Sequence, residues 1–475
     1  MASTARARAR LKTAAFLLAS VLISSGCSGG GFPGDDTAPV SLESPTGAGT
    51  PSPGATKGPN GPKGGPGAEP TTPSGDPGIG IKDPAGGDPP VANLFTPAED
   101  RIGISDSQIT ICGHAALTYA AAFQTQPEDL NVYWQMLNAA GGVFGRSVEM
   151  TYEDDAYSPT EAIVAAEACR QKDPFILVGG IGFDQIPAVR TFAEAHHMLY
   201  MHHVARQDLT KRYSFSALPT VEQMGKLAAQ WIATQHRGKK VGAFYRDSEN
   251  WDPGYTAFVA ELKRLKADFY GGVAVASDQR SYSTGLNDFQ QNGVEVVFGW
   301  ENALNGTNMV LQAKSQGYSP QWVLFPFNLE TDTLGERALD PPIEGIAAWS
   351  AFSPGDLSGP FESYADELRL FINTYREYRP NVRTLTDLHW QVWLAWKTVH
   401  NLLVACGTDC TRNKLVGLLL ARKYGHDFTH PDCPIDFTRN GHVGGFAVNF
   451  FQAYRKPGGA GWRPIVGFQC RESLV

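Results

Sequence analysis

From about Ile102 to Phe327, short β-rich runs alternate with helical patterns, and this limits the possible folds more than any other feature of the chain. "QITICGH" (108–114), "SVEMTYED" (147–154), "FILVGGIG" (175–182) and "LYMHHV" (199–204) read as strands. Between them, "QPEDLNVYWQMLNAAGG" (126–142), "SPTEAIVAAEACRQ" (158–171) and "QIPAVRTFAEAHH" (185–197) read as helices. The alternation then repeats. Helices are expected at 220–235, 254–266, 283–293 and 303–317, and strands at 240–247, 270–277, 294–300 and 321–327. A parallel pair of strands needs a crossover, and a helix supplies it, so the pattern predicts an α/β fold of parallel sheets with helices on both faces. Two such units in succession exceed one ordinary domain and predict two lobes. A long aromatic-rich helix is expected at 385–406.

The ends of the 475-residue chain differ from this region. Arg6, Arg8, Arg10 and Lys12 precede an apolar run from Ala14 to Ile23 and then "SSGC", the layout of an export signal. The apolar run is shorter than the ~20 residues that span a bilayer. The segment resembles a bacterial lipoprotein signal, with Cys27 as the lipid-modified residue, although Ser24 stands where Leu is usual. The alternative is an ordinary cleaved signal. Residues 28–98 are mostly Gly, Pro, Ser, Thr and Asp, with too little apolar surface to offset the entropy of ordering them, and read as a flexible tether. Removing residues 1–26 takes away four basic residues and no acidic one, so the formal charge falls from −8 to −12. That balance argues against nucleic acid as a partner. Six cysteines remain after Cys27, an even number that suits disulfides outside the cytoplasm. Cys406 and Cys410 flank a tight loop and can close locally; the pairing of Cys112, Cys169, Cys433 and Cys470 stays open.

The stretch "LNAAGGVFGRSVEMTYEDDAYSPTEA" (137–162) resembles the signature of leucine/isoleucine/valine-type substrate-binding proteins of ABC importers: Asn-x-x-Gly-Gly, Gly-Arg, a strand, Asp-Asp and Pro. The likeness continues through 176–189, 239–258 and 294–323. It implies a type I periplasmic-binding fold with two Rossmann-like lobes, a three-crossing hinge and a ligand cleft between the lobes. The expected divisions are a signal at 1–26, a tether at 27–99, lobe 1 at 100–217 and 329–428, and lobe 2 at 218–328 and 429–475. The crossings should fall near 216–220, 326–329 and 426–433. The resemblance further implies no catalysis, capture of an amino acid or related small molecule, and delivery to an ABC permease from an extracytoplasmic, lipid-anchored position. The alternative is a ligand-sensing lipoprotein that signals to a membrane sensor kinase. No cofactor is expected, and the chain is expected to be a monomer.

The signature residues also have local roles. Gly141 and Gly142 can end a helix in the left-handed region, and Ser158-Pro159-Thr160-Glu161 reads as a capping box. Asp154 and Asp155 fall in a strand-to-helix turn rather than forming a catalytic pair. "LVGGIGFD" (177–184) lacks the Gly-Lys-Ser/Thr of a phosphate loop. "HHMLYMHH" (196–203) holds four of eleven histidines. His196 and His197 end a helix, while His202 and His203 point to opposite faces of a strand, so the four do not make a metal site. "HDFTHPDC" (426–433) has ligand-like spacing but falls at the third crossing. The resemblance places ligand contacts at Thr118, Phe183, Asp184, His203, Ala205 and Arg206 in lobe 1, and at Trp251, Gln279, Trp300 and Glu301 in lobe 2. Asp184 and Arg206 would take an ammonium and a carboxylate, and Trp251 would stack on the ligand. No metal is expected.

Overall fold

A computed structural model describes residues 91–118, 126–179, 184–202, 211–276, 279–301, 303–324, 347–350, 365–382, 385, 387–421, 423–424, 435–437, 442–444, 448–456 and 459–469. The signal, Cys27, the tether up to residue 90, the expected crossings at 326–329 and 426–433, Phe183, His203, Ala205, Arg206, Cys433 and Cys470 lie outside these residues. Among the described residues no helix is long and apolar enough to cross a membrane.

The first sheet contains β1 (Gln108–Ala115), β2 (Ser147–Asp154), β3 (Ile176–Gly179), β4 (Tyr200–His202) and β5 (Ser214–Ser216). Their spatial order is β2-β1-β3-β4-β5, and every pairing is parallel. β1 is buried from Ile111 through Ala115, as expected of an inner parallel strand covered on both faces. Helices α1 (Pro127–Leu130) and α2 (Val132–Ala139) connect β1 to β2, α3 (Pro159–Arg170) connects β2 to β3, and α4 (Ile186–Ala195) connects β3 to β4. Ser158 caps α3 by accepting from the Glu161 N–H, with Pro159 at the first helical position. The turn after α2 needs glycine: Gly142 has φ of 68°, and a Cβ there would lie 1.9 Å from the Arg146 carbonyl oxygen.

After α5 (Val221–Gln235), a second sheet is built from β6 (Val241–Arg246), β7 (Phe269–Val275), β8 (Val296–Trp300), β9 (Gln321–Leu324), β10 (Ala347–Ser350), β13 (Val448–Lys456) and β14 (Gly459–Gln469). The order is β14-β13-β10-β9-β8-β6-β7, parallel from β10 to β7, with β13 antiparallel to both of its neighbours. β8 is buried throughout, whereas the edge strand β7 alternates between exposed and covered residues. The crossover helices are α6 (Asp252–Arg264), α7 (Ser283–Gln291) and α8 (Ala303–Ser315). A short pair, β11 (Lys423–Tyr424) and β12 (Ile435–Asp436), stands apart.

The C-terminal helices α9 (Ala365–Tyr378), α10 (Asp387–Cys406) and α11 (Arg412–Ala421) pack on the first lobe. Trp393 of α10 meets Tyr133 edge-on at 4.9 Å, and the Trp396 indole N–H donates to the Leu130 carbonyl at 3.0 Å. The aromatic residues of α10 thus fill the surface that α2 presents.

Two sequence expectations need correction. β10 lies inside the stretch assigned to lobe 1, yet it pairs with β9 and β13 of the second sheet. Its partners come from distant parts of the chain, and no local pattern reveals such pairing. The folded part also begins before residue 100. The N–H groups of Leu94 and Phe95 donate to the Asn413 side chain, and Phe95 is 3 % exposed beneath the Arg412 guanidinium. Arg412 itself donates to the carbonyls of Phe175, Glu99 and Pro174.

Among the described residues two disulfides are present. Cys406–Cys410 closes the expected local loop, and Cys112–Cys169 joins β1 to the last turn of α3.

Candidate functional site

Loops that follow the strands of a parallel sheet gather at its carboxyl edge, where α/β proteins bind ligands. In this chain the loops after β2 and β3 of the first sheet meet the end of β6 and the loop after it in the second.

The β2 loop is held in an unusual shape. Ala156 and Tyr157 both have positive φ, 45° and 58°, a conformation that costs a non-glycine residue about 1–2 kcal/mol. Two acids stabilise it: the Asp154 carboxylate accepts from the Ala156 N–H at 3.0 Å, and Asp155 accepts from the Tyr157 N–H at 2.9 Å. Asp154 also accepts from the Leu117 N–H and the Thr118 hydroxyl, tying the β1 loop to the β2 loop. Burial pushes the Asp154 carboxyl up, but the bonds from Thr118, Ala156 and Leu117 outweigh it and hold it below its ordinary value.

Asp155 has no exposed surface and belongs to a buried polar chain. Its second oxygen lies 2.7 Å from His114 Nδ1, and His114 Nε2 lies 2.8 Å from the Tyr200 hydroxyl. Gln185 donates to the oxygen that also takes the Tyr157 N–H. Burial, then the Asp155 charge, push the Tyr200 phenol well up, so it stays protonated. The His202 ring packs at a tilt against Tyr200, with centroids 4.8 Å apart. This chain fixes the floor beneath the loops; its members are too deeply buried to meet a ligand directly.

Above that floor sits Arg246, the last residue of β6. Its Nη2 lies 3.1 Å from the Asp184 carboxylate of the first lobe. The guanidinium carbon lies 5.8 Å from the Tyr157 ring centre and 5.7 Å from that of Trp251, cation–π distances on both. Ser248 and Asn250 also donate to Asp184, each at 3.4 Å. Trp251 is 1 % exposed, and its carbonyl accepts the Trp300 indole N–H at 2.9 Å. Tyr282 registers the charges nearby: burial first, then Glu301, push its phenol up, and Arg246 opposes them.

Of the residues expected at the site, Asp184, Trp251 and Glu301 fall in this neighbourhood. Thr118 is exposed, with its hydroxyl engaged by Asp154. Trp300 and Glu301 have no exposed surface, so neither touches a ligand in this conformation. The Gln279 side chain is bonded within its own loop, to the Ala276 N–H and the Ser281 carbonyl. The histidine cluster is dispersed. His196 packs on Phe192, and His197 stacks on Tyr213 and faces Glu99, while His202 lies in the floor. Among the described residues no group of three or more His, Cys, Asp or Glu is arranged to hold a metal ion. The sequence reading missed Tyr157, Arg246, Ser248 and Asn250. A signal for Arg246 was present, since it ends a recognisable strand and so belongs to the ligand-binding edge.

Residues 119–459, most of the chain, match the family described as periplasmic binding protein. An amino acid binding protein of Pseudomonas aeruginosa is 25% identical over 219 residues, a match covering 44% of this chain and 58% of that relative, less than two thirds of its length. Among solved structures, a fatty acid ABC transporter substrate-binding protein from Thermomonospora curvata superposes with a TM-score of 0.64 at 16% identity, covering 78% of this chain and 94% of its own. A leucine-binding protein from Thermotoga maritima superposes at 0.60 with 14% identity, covering 74% and 97%. A solute-binding protein of an ABC transporter from Rhodopseudomonas palustris, in complex with 3,4-dihydroxybenzoic acid, gives 0.63 at 13% identity, covering 77% and 98%. Each of these proteins is described as a binding protein.

Proposed function

We propose that this chain, which belongs to the periplasmic binding protein family, captures a small zwitterionic molecule such as an amino acid between its lobes and delivers it to an ABC permease. The observation that carries this reading is the convergence of both carboxyl edges on Arg246. Tyr157 and Asp184 come from the first sheet, and Arg246 and Trp251 from the second. The guanidinium is a permanently charged fork suited to a carboxylate. The Asp184 carboxylate sits against that cation, a balance that favours a ligand carrying an ammonium as well. Aromatic faces from both lobes cover an apolar body. A hinge between lobes lets such a cleft open and close around its ligand. Phe183, His203, Ala205 and Arg206 are proposed to complete the first-lobe wall; Thr118 and Gln279 would join only by releasing their present hydrogen bonds, and Trp300 only if opening exposes it. The family implies an extracytoplasmic protein, and the "SSGC" motif supports Cys27 as its lipid anchor.

Native mass spectrometry of gently purified protein should reveal a co-purified small molecule. Titration calorimetry with that molecule should then show one site, weakened about ten- to a hundredfold by Trp251→Ala through loss of its cation–π and apolar contacts. A panel of amino acids, aromatic acids and fatty acids that all fail to bind would overturn the reading of the ligand. Uptake of the bound molecule that survives deletion of the gene for this chain would overturn the delivery role.

A further inference from the structure

Asp184 is held in a way that has little to do with its own lobe. A guanidinium nitrogen lies 3.1 Å from one of its oxygens, a hydroxyl 3.4 Å and a side-chain amide 3.4 Å from the other. The same amide lies 3.5 Å from the Asp184 backbone carbonyl. All three groups belong to the end of β6 and the loop after it, in the second lobe. A guanidinium, a hydroxyl and an amide converging on one carboxylate form a general carboxylate-recognition site. The contact is sheltered as well: the Arg246 side chain is 6% exposed and that of Asp184 15%. Tyr157 adds a further first-lobe contact by covering the guanidinium.

We propose that Arg246, Ser248 and Asn250 form a carboxylate cradle in the second lobe that the first lobe fills with its own Asp184, a latch that closes the cleft before any ligand arrives. Ligand-driven closure needs binding energy to bring the lobes together. With the latch, part of that work is done by a side chain already in place. The closed form is then substantially populated in the free protein, and a ligand selects it rather than creating it. The Asp184 backbone is fixed from below through its neighbour Gln185, which donates to the buried Asp155. The latch residue thus projects from a rigid base and engages without local rearrangement.

The test measures the distance between lobes in the full chain, stripped of bound small molecules. Nitroxide labels carried by non-natural residues at Val164 on α3 and Gln290 on α7, both exposed, report it by pulsed electron resonance. Wild type should show one dominant short distance. Asp184→Ala should lower the closed-to-open ratio about ten- to a hundredfold, the range for losing a charge-assisted contact. Acetate should bind Asp184→Ala, whose cradle is intact and vacated, as read by titration calorimetry, but not Arg246→Gln. Asn250→Ala removes one donor and keeps both charges, so it should shift the ratio in the same direction by less. Superimposable distances for wild type and Asp184→Ala overturn the latch. An opened Asp184→Ala protein that binds no acetate overturns the cradle. Because no substrate is used, either failure leaves the reading of this chain as a binding protein standing.

Discussion

Removing each disulfide in turn gives a quantitative test of how the first lobe is held together. Cys112 and Cys169 are 57 residues apart in sequence, and Cys406 and Cys410 are 4 apart. A crosslink restricts the unfolded chain more as the loop it closes grows, which gives about 4 kcal/mol for the first bond and about 2 kcal/mol for the second. Cys112, Cys169 and Cys406 have no exposed surface and Cys410 is 2% exposed, so the cavity left by removing sulfur is similar in both pairs and cancels in the comparison. Each kcal/mol moves the midpoint of a lobe-sized unit by about 2–4 °C. Cys112→Ala with Cys169→Ala should therefore lower the melting temperature by about 8–16 °C, and Cys406→Ala with Cys410→Ala by about half as much. Differential scanning calorimetry of the two double variants and wild type reads this directly. Equal losses, or a larger loss from the short loop, would refute the chain-entropy account and place the stabilisation in local geometry instead.

Further expectations concern other parts of the molecule. Burial holds the His389 imidazole down at about 4, with Asp129 opposing, so the native state keeps it neutral while the unfolded chain would charge it. A base depressed on folding costs stability as pH falls below its unfolded value near 6.5, amounting to ~3 kcal/mol once pH passes about 4. Melting curves between pH 7 and 4 should accordingly fall less steeply for His389→Phe than for wild type. Gly254→Ala would place a Cβ 2.1 Å from Trp300 Cζ2, and since Trp300 bonds to the Trp251 carbonyl, it should cost at least about 1–3 kcal/mol and disturb binding together. Gly293→Ala, where φ is 68° but nothing lies within 4 Å, should cost stability through the backbone and leave affinity alone. Cys27→Ala should move the protein from the membrane fraction to the soluble fraction if the lipid is its anchor, and retention of the variant would show another one.

What could be read in the sequence followed the range of the forces involved. The strand–helix alternation predicted β1 to β4 and β6 to β9 closely, because each crossover unit buries its own apolar pattern within a few tens of residues, but it missed the three-residue β5. Ser158 and Thr220 were readable as helix starts for the same reason, since a cap acts on N–H groups three residues away. β10 was not legible. It is four residues long and is held by β9 and by β13, which lies about a hundred residues further along the chain. The docking of Phe95 under Arg412 was hidden likewise, because a Pro- and Gly-rich context gives no hint that Asn413 will supply its backbone partners. At the site, Trp251 and Asp184 carried a local signal through their place after strands. The pairing of Asp184 with Arg246 did not, because it depends on how two separately folded lobes meet.

The same division of forces bears on ligand identity. The Thermomonospora, Thermotoga and Rhodopseudomonas structures share this fold at 13 to 16% identity, so the buried pattern that specifies parallel strands tolerates wide substitution. Chemistry at the carboxyl edge has no such latitude, because one charge there changes what can be bound. Among the described residues, the edge brings the Arg246 guanidinium, the Asp184 carboxylate and the rings of Tyr157 and Trp251 together over a floor locked by Asp155 and His114. If the latch is made as inferred, Asp184 is already satisfied when the cleft is shut. A ligand whose carboxylate displaces Asp184 from Arg246 frees that acid to meet an ammonium as well. Selection between a zwitterion and a simple anion then turns on Asp184. Asp184→Asn should weaken binding of a zwitterion, and a simple carboxylate should bind the same variant more tightly than wild type because it no longer competes with a fixed negative charge.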